Sequence, residues 1–392
     1  MLSVQQLEDC SNFLQESKLK QLASSDNISI VYIHGTARSG STIAEIVLAQ
    51  LADLAIHQPF RGTLQKLGGR FRTTKLDLDV DVYDPACGLI VRQIEECLKT
   101  KDKITVVIKE LAGFFQPYIW QRWLKIPNKF LFTMREPHLQ YMSWLAAMTD
   151  KVFRGNGTLQ GDRKFVINKA EITEGSLLTA EWSGTTLSCN QAAWNALIED
   201  FYNLRIANQN NNQKIAILDS ILLRHNPAAV VKNAIARLGF ESEKLSLLNL
   251  NNLAKTKSKV QDIRDKTRPM VRKANSSNSI NPLIKGESVS LNLFPQKSQQ
   301  HIKSLIPLYL DFLYADEQVY LPSLKALENV GETGLIATHP FVAYAIALYH
   351  LQDRDRVCDW FKSKGQEELI NSFQDSFAVV NDYWEKKQKN YG

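Results

Sequence analysis

Long apolar runs, paired cysteines and a strong excess of one charge are all missing from this chain of 392 residues. Without about 18 consecutive apolar residues, the sequence predicts no transmembrane helix. The five cysteines are odd in number, scattered and without a CxxC pair, which argues against both a disulfide framework and a zinc site. The net charge of +6 is compatible with anionic ligands but too small to predict nucleic-acid binding.

What is present is the composition of an ordinary folded protein, with 44% hydrophobic and 22% charged residues. The segment MLSVQQLEDCSNFLQESK is polar and acidic, whereas a signal peptide begins with basic residues and continues into an apolar stretch. We therefore expect a cytoplasmic protein that binds neither a membrane nor nucleic acid. The histidines form no HxH or HExxH pattern, so no metal site is predicted.

Apolar, β-branched segments predict four strands buried on both faces, as in a parallel sheet. They are residues 27–33, 104–108, 129–134 and 214–218. Helical spacing is found at about 4–24, 88–99, 116–125, 138–150 and 189–209. Strands that alternate with helices predict a doubly wound α/β fold, with helices on both faces of the sheet.

Two polar stretches interrupt this alternation. Residues 151–188 are rich in Gly, Thr and charge, and we interpret them as an excursion or lid over the ligand-binding edge of the sheet. Residues 255–300 are basic and rich in Asn and Ser, and form either a loop or a segment that orders on an anion. We predict one α/β domain over residues 1–325. The helical residues 326–392 are predicted to be an extension that caps this domain or forms a homodimer.

A glycine loop, GTARSGST at residues 35–42, lies between the first predicted strand and a helix. There, loop N–H groups and the positive end of the helix dipole face one anion, which predicts a phosphate site. The loop departs from the GxxxxGK[ST] pattern of ATPases and GTPases, because Ser41 replaces the lysine and the cation is Arg38. The strand over 129–134 ends in Arg135, where a magnesium-binding Asp is expected. A nucleoside-triphosphate enzyme is therefore disfavoured.

The loop resembles the 5′-phosphosulfate loop of the sulfotransferases that use 3′-phosphoadenosine 5′-phosphosulfate (PAPS), which follows the form (K/R)SG(S/T)(S/T). A second family signature, Arg135-x-Pro137 followed by Ser143, lies in FLFTMREPHLQYMSW. The resemblance covers residues 28–150 and continues faintly to about 322. It implies that Arg135 and Ser143 bind the 3′-phosphate, at a strand end followed by a helix start. It also implies a phosphosulfate-binding set in the loop: Thr36, Arg38, Ser39, Gly40, Ser41 and Thr42.

A third element of the family is a basic segment, RKGxxGxW, that folds over the 3′-phosphate. Its best match is Arg272-Lys273 in MVRKANSSNS, where the glycines and the tryptophan are missing. The resemblance implies that Arg272 binds the phosphate beside Lys273. The alternative interpretation of residues 255–273 is a solvated charged loop.

The resemblance further implies a base that takes the acceptor's proton and cations that neutralise the leaving nucleotide. Cytosolic members carry the base as a His two residues after a strand-end Lys, but Leu111 stands at that position. Two replacements stay open, Glu110 and His57, against the structural alternatives of an ion pair for Glu110 and a satisfied histidine for His57. Lys109, at a strand end, is predicted to bind the anion, and Arg38 to stabilise charge on the phosphosulfate.

The sequence therefore predicts a PAPS-dependent sulfotransferase, which moves a sulfuryl group from PAPS to a hydroxyl of a small-molecule acceptor such as a secondary metabolite. No metal is required in this reaction. One alternative is a nucleotide or small-molecule kinase that uses the same loop with ATP and magnesium. Another is a module that binds 3′-phosphoadenosine 5′-phosphate (PAP) without catalysis, because Leu111 replaces the family's base.

Overall fold

In the computed structural model, helices alternate with the strands of one parallel sheet. The described residues are 14–66, 82–112, 122–126, 129–153, 182, 184–211, 214–253, 256, 260–262, 279–283, 287–328 and 334–391.

The sheet-forming part of the chain contains six strands and eight α-helices within the described ranges. They are α1 (Leu14–Ala23), β1 (Ile28–Gly35), α2 (Ser41–Ala49), β2 (Leu54–His57), α3 (Pro59–Lys66), α4 (Tyr83–Leu98), β3 (Ile104–Leu111), β4 (Lys129–Met134), α5 (Pro137–Phe153), α6 (Gly184–Asn211), β5 (Ile215–Asp219), α7 (Ser220–His225), α8 (Pro227–Arg237) and β6 (Val260–Asp262). The helices that follow are α9 (Gln296–Leu313), α10 (Leu324–Leu327), α11 (Leu335–Thr338), α12 (Pro340–Leu351), α13 (Arg354–Ser363), α14 (Glu367–Ser372) and α15 (Gln374–Tyr391).

All strand pairs are parallel, and the strand order is β5-β4-β1-β3-β2-β6. The strands are apolar and covered on both faces; all eight residues of β3, for example, are buried. Such burial is typical of parallel sheets with helices packed against them. Because every strand runs in the same direction, all carboxyl ends meet at one edge. The predicted α/β class with a parallel sheet is confirmed.

The four predicted strands are present as β1, β3, β4 and β5, each within three residues of the predicted bounds. The strands β2 and β6 were missed by the sequence analysis, because segments of four and three residues are too short to show a period. The predicted helix over 88–99 begins earlier, at Tyr83. Most of the predicted helix over 116–125 lies outside the described residues.

The two predicted excursions are shorter than the polar composition indicated. Helix α5 continues to Phe153 and α6 begins at Gly184, so both ends of residues 151–188 are helical. Gly and Thr at the start of α6 are residues that helix N-termini accept, which the composition alone could not separate from a loop. In residues 255–300, Val260–Asp262 pair with β2, and α9 begins at Gln296. The remainder of both stretches is largely outside the described residues.

The helices after residue 326 share one hydrophobic core with the sheet. Buried residues of the same cluster include Ile30 and Phe132 in the strands, Phe312 in α9, and Phe341 and Phe377 in the C-terminal helices. Over the described ranges, no helix is long and apolar enough to cross a membrane.

Candidate functional site

The candidate site lies at the carboxyl edge of the sheet. The strand register places Gly35 of β1 beside Leu111 of β3 and Thr133 of β4. At the same edge, His57 of β2 is the register partner of Lys109 of β3. In open α/β sheets, ligands bind outside the carboxyl ends of the strands. The sequence-predicted residues that end or follow these four strands are thereby brought to one edge.

The loop after β1 depends on close approach and on left-handed backbone. A Cβ on Gly35 would lie 2.0 Å from Thr133 Oγ1 and 2.8 Å from Ser39 Oγ, so only a glycine allows β1, β4 and the loop to pack this closely. Gly40 has a φ of 90° and is the N-cap of α2. Arg38 has a φ of 70° without being a glycine. Backbone strain of this kind is concentrated at functional sites.

Side chains of β4 and α5 form hydrogen bonds with this loop. Ser39 Oγ and Thr133 Oγ1 lie 2.7 Å apart in a buried hydrogen bond. Thr36 Oγ1 accepts a hydrogen bond of 2.9 Å from Gln140 Nε2, and Gln140 Oε1 in turn accepts one of 2.8 Å from Trp194 Nε1. The predicted loop residues Thr36 and Ser39 therefore hold the loop in place with their side chains.

Arg38 connects the two signatures found in the sequence. Its Nε donates a hydrogen bond of 2.9 Å to Ser143 Oγ, across 105 residues of chain. Burial lowers the pKa of Arg38 from its ordinary value. Gln140, which the sequence analysis missed, lies three residues before Ser143 and so on the same helix face, a spacing that could have marked it.

A second cation reaches the loop from β3. Lys109 is buried, and its Nζ donates a hydrogen bond of 3.1 Å to Thr42 Oγ1. Thr42 follows Ser41, the buried first residue of α2, where helix N–H groups have no partner within the helix. Arg38 and Lys109 thus place two positive charges at the loop and at a helix N-terminus, which suits an anionic group.

The two candidate bases differ in their surroundings. Glu110 is fully buried, and its Oε2 accepts the backbone N–H groups of Phe60 and Arg61 at 3.1 and 3.2 Å. These N–H groups belong to the first turn of α3, so the Glu110 carboxylate caps that helix. Its Oε1 accepts the N–H of Leu111 at 3.3 Å. Glu110 therefore caps a helix, and the ion pair considered for it stays a prediction.

His57 ends β2, and its Nδ1 lies 2.6 Å from Glu45 Oε2 of α2. Both residues are buried. A carboxylate only accepts, so Nδ1 carries the hydrogen and Nε2 is the basic nitrogen of the neutral ring. This pair has the geometry of a base oriented by a carboxylate. The sequence analysis missed Glu45, since its position inside α2 carries no signal of the contact.

Arg135 follows β4 directly, and its guanidinium is mostly buried. Burial, together with the positive charge of Arg224, lowers the pKa of Arg135 to about 10. Its Nη2 lies 3.9 Å from Glu287 Oε1. Within the described residues, the Arg135 Nε hydrogen has no hydrogen-bond partner. Arg135 therefore keeps its charge at neutral pH and has a donor that an anion could use.

Arg272 and Lys273 lie outside the described residues. Among the residues that are described, no group of three or more His, Cys, Asp or Glu side chains is placed to hold a metal ion.

Comparison with family models gives no match for the chain. A search of curated proteins likewise finds no similar sequence.

Proposed function

We propose that the protein is a PAPS-dependent sulfotransferase that acts on a hydroxyl of a small-molecule acceptor. The observation that carries the proposal is the hydrogen bond between Arg38 Nε and Ser143 Oγ. It unites two motifs that each resemble a PAPS-binding signature, one for the 5′-phosphosulfate and one for the 3′-phosphate. A finer fold assignment belongs to the same proposal: a doubly wound sheet in which β1 carries a P-loop-like phosphosulfate loop.

The charges at the sheet edge fit this donor. Arg38 and Lys109 both contact groups of the loop or of the motif beside it, and would face the phosphosulfate. Arg135 has an unused donor nitrogen at the end of β4, the position of the 3′-phosphate signature. PAPS carries its negative charge at these two positions, so the donor set matches its two anionic groups.

The hydrogen bonds favour His57 over Glu110 as the base. Glu110 caps α3 with one oxygen, and protonating it would weaken those bonds. His57 is oriented by Glu45 and stands beside Lys109 in the strand register. A neutral imidazole whose Nδ1–H is held by a carboxylate has the arrangement of a general base.

The reaction proposed is an in-line transfer. The acceptor oxygen forms a bond to sulfur while the bond from sulfur to the bridging oxygen of the 5′-phosphate breaks, and PAP leaves. The acceptor's proton goes to His57 Nε2, and Glu45 stabilises the imidazolium that results. Arg38 and Lys109 offset the negative charge that develops on the bridging oxygen, and such fixed charges supply much of the rate in enzymes of this kind.

One contact also fits the kinase alternative. Lys109 Nζ contacts Thr42 Oγ1, so a lysine from β3 stands near the hydroxyl that a P-loop would use for magnesium. The kinase interpretation, however, gives no role to the pairing of Arg38 with Ser143 or to Arg135. The non-catalytic alternative is weakened by the His57–Glu45 pair, which supplies a base that Leu111 does not.

Calorimetric titration with PAP, and in parallel with ATP and magnesium, tests the proposal. We expect the wild type to bind PAP. Arg135→Ala should weaken that binding by about 30-fold or more, because it removes one partner of a charged hydrogen-bond pair. Arg237→Ala is the matched control, since Arg237 forms a solvent-exposed ion pair with Glu317 and is not one of the candidate residues. Binding of ATP and magnesium without binding of PAP would overturn the proposal in favour of a kinase.

A further inference from the structure

A carboxylate lies between two arginines at the edge that the donor would occupy. Glu287 receives a bidentate ion pair from Arg224 of α7, with Nη1 and Nη2 at 2.6 and 2.7 Å from its two oxygens. The same Glu287 lies 3.9 Å from Arg135 Nη2. All three side chains are partly accessible to solvent.

Arg224 is also held by backbone carbonyl groups. Its Nε donates to the carbonyl oxygen of Asn281 at 3.0 Å, and its Nη2 also donates to that of Pro282 at 2.7 Å. These two contacts do not involve the Glu287 carboxylate, so Arg224 has partners besides it. It is a preorganised donor beside Arg135, close enough that its charge lowers the Arg135 pKa.

Among the described residues, buried polar atoms near the two arginines are left without hydrogen bonds. The Arg135 Nε hydrogen and both ring nitrogens of His339 are buried and have no hydrogen-bond partner in the described part of the chain. His339 is fully buried, and burial lowers its pKa to about 4, so the ring is neutral at pH 7. The charges of Glu136, Glu287, Arg224 and Arg135 act on it more weakly.

Of the two carboxylates in this group, Glu136 is already committed. It accepts the N–H groups of His138 and Leu139 and pairs with the His138 ring. The exchangeable negative charge beside the two arginines is therefore that of Glu287.

We propose that Arg224 is a second arginine of the nucleotide's 3′-phosphate subsite, and that Glu287 is an internal counter-ion which the phosphate displaces. This inference rests on the proposed function. A phosphomonoester carries a charge of about −2 and three acceptor oxygens, which two guanidinium groups match better than one carboxylate does. The exchange replaces a single negative charge by two between Arg135 and Arg224.

The exchange makes the subsite selective. A nucleotide without a 3′-phosphate brings no group that can displace Glu287, so Arg224 stays paired and contributes nothing to its binding. A nucleotide with a 3′-phosphate gains both arginines but must overcome the carboxylate. Discrimination between these two ligands is therefore set by Arg224 and Glu287 together.

The experiment is calorimetric titration of wild type, Glu287→Gln and Arg224→Gln with PAP and with adenosine 5′-monophosphate. Glu287→Gln should tighten PAP binding about tenfold, because the competing charge is gone. The affinity for adenosine 5′-monophosphate should change by less than about twofold. Arg224→Gln should weaken PAP binding by about 30-fold or more and leave the affinity for adenosine 5′-monophosphate unchanged within the same limit. Glu317→Gln is the matched control, since it removes one carboxylate from a surface ion pair with Arg237.

Each outcome separates the two proposals. A wild type that fails to bind PAP overturns the proposed function and this inference with it. If PAP binds and needs Arg135, but Glu287→Gln leaves its affinity unchanged or lowers it, the sulfotransferase proposal stands and the displacement is wrong. The gain expected for Glu287→Gln cannot arise from misfolding, and the unaffected monophosphate serves as a fold control for Arg224→Gln.

Discussion

At the scale of single residues, three buried histidines of the described chain each face a carboxylate. His34 is buried, and its Nε2 lies 2.8 Å from Asp200 Oδ2. His57 faces Glu45 and His138 faces Glu136. Only His57 stands beside a strand-end lysine at the proposed donor site. Position, rather than pairing, thus distinguishes the proposed base.

The proposed base can be tested by its effect on turnover. His57→Gln should lower kcat by about 10²–10⁴-fold, because general-base assistance is lost. Glu45→Gln should lower kcat less and move the acidic limb of the rate profile to lower pH, since the imidazolium loses its neighbouring carboxylate. PAP affinity should be unchanged in both variants. The measurement is PAP release from PAPS with an acceptor found by screening phenols and alcohols.

Glu110→Gln is the matched control for that experiment. It should lower the free energy of unfolding, because the cap of α3 is weakened, and leave the shape of the rate profile unchanged. Loss of turnover in Glu110→Gln, with activity retained in His57→Gln, would assign the base to Glu110.

Ser376, His138 and Glu136 are arranged in the order of a Ser-His-acid triad. His138 Nε2 lies 2.9 Å from Ser376 Oγ of α15, and its other nitrogen contacts Glu136. Burial alone would raise the pKa of Glu136, but interaction with His138 and the N–H of Leu139 lowers it. Ser376 and His138 are fully buried, so neither side chain is exposed to a substrate. We interpret the chain of contacts as a link between α5 and α15.

Ser376→Ala tests that structural role. Its removal should lower the free energy of unfolding by about 1–3 kcal/mol, because His138 Nε2 is left buried without a partner. Urea denaturation of the variant measures this change. Ser363→Ala, at an exposed hydroxyl bonded to the carbonyl of Trp360, should have little effect. Equal stability of both variants would show that the buried link contributes nothing.

At the scale of secondary-structure elements, strand ends are joined to helix starts by polar caps. Asp219 ends β5, and its Oδ1 accepts the N–H groups of Ile221 and Leu222 at the start of α7. Its Oδ2 accepts a hydrogen bond of 3.2 Å from Tyr309 of α9. Burial raises the pKa of Asp219 to about 7, although these hydrogen bonds lower it. The carboxylate thus makes well-placed hydrogen bonds, but its burial disfavours the ionised form.

This cap predicts a pH dependence of stability. The folded-state pKa is about 7 and the ordinary value is 3.8, so the unfolded chain releases this proton first as pH rises. The contribution of Asp219 is therefore most favourable below pH 4 and is lost progressively up to pH 7, by at most about 4 kcal/mol. Asp219→Asn keeps an acceptor for both N–H groups and should remove this change.

The measurement is the free energy of unfolding of wild type and Asp219→Asn between pH 4 and pH 8. As pH rises through this window, we expect the free energy of unfolding of Asp219→Asn to increase relative to that of the wild type. Asp353→Asn changes an exposed cap of α13 and provides the control. A constant difference between wild type and Asp219→Asn across the window would contradict the prediction.

At the scale of the whole molecule, the C-terminal helices are bonded into the α/β part at several points. Tyr314 Oη donates a hydrogen bond of 2.8 Å to the carbonyl of Ala345, and Tyr383 pairs with Asp311. The ring of Phe341 packs against Tyr309 and His138. A domain boundary near residue 325 stays a prediction. The continuous core favours a single cooperative unit.

Truncation after residue 325 tests this boundary. The shortened chain should lose its cooperative unfolding transition, because several buried aromatic contacts of about 1.5–3 kcal/mol each are removed from a total stability of about 5–15 kcal/mol. Thermal unfolding followed by circular dichroism measures the transition. A chain that ends at residue 389, and so loses only the end of α15, is the control. A truncated protein that melts as the full chain does would establish two independent domains.

The sequence by itself determined the α/β class, the strands β1, β3, β4 and β5, and the order of the two motifs. These follow from local patterns, since a β-branched apolar run or a glycine loop carries its signal within a few residues. Only the tertiary structure decided that Glu110 caps a helix, that Glu45 orients His57, and that Arg224 and Arg135 share Glu287. The spacing of apolar residues predicts which side chains become buried when the chain folds. The partner of a buried polar group is chosen by packing between distant segments, because each such group must find a hydrogen bond wherever folding brings one.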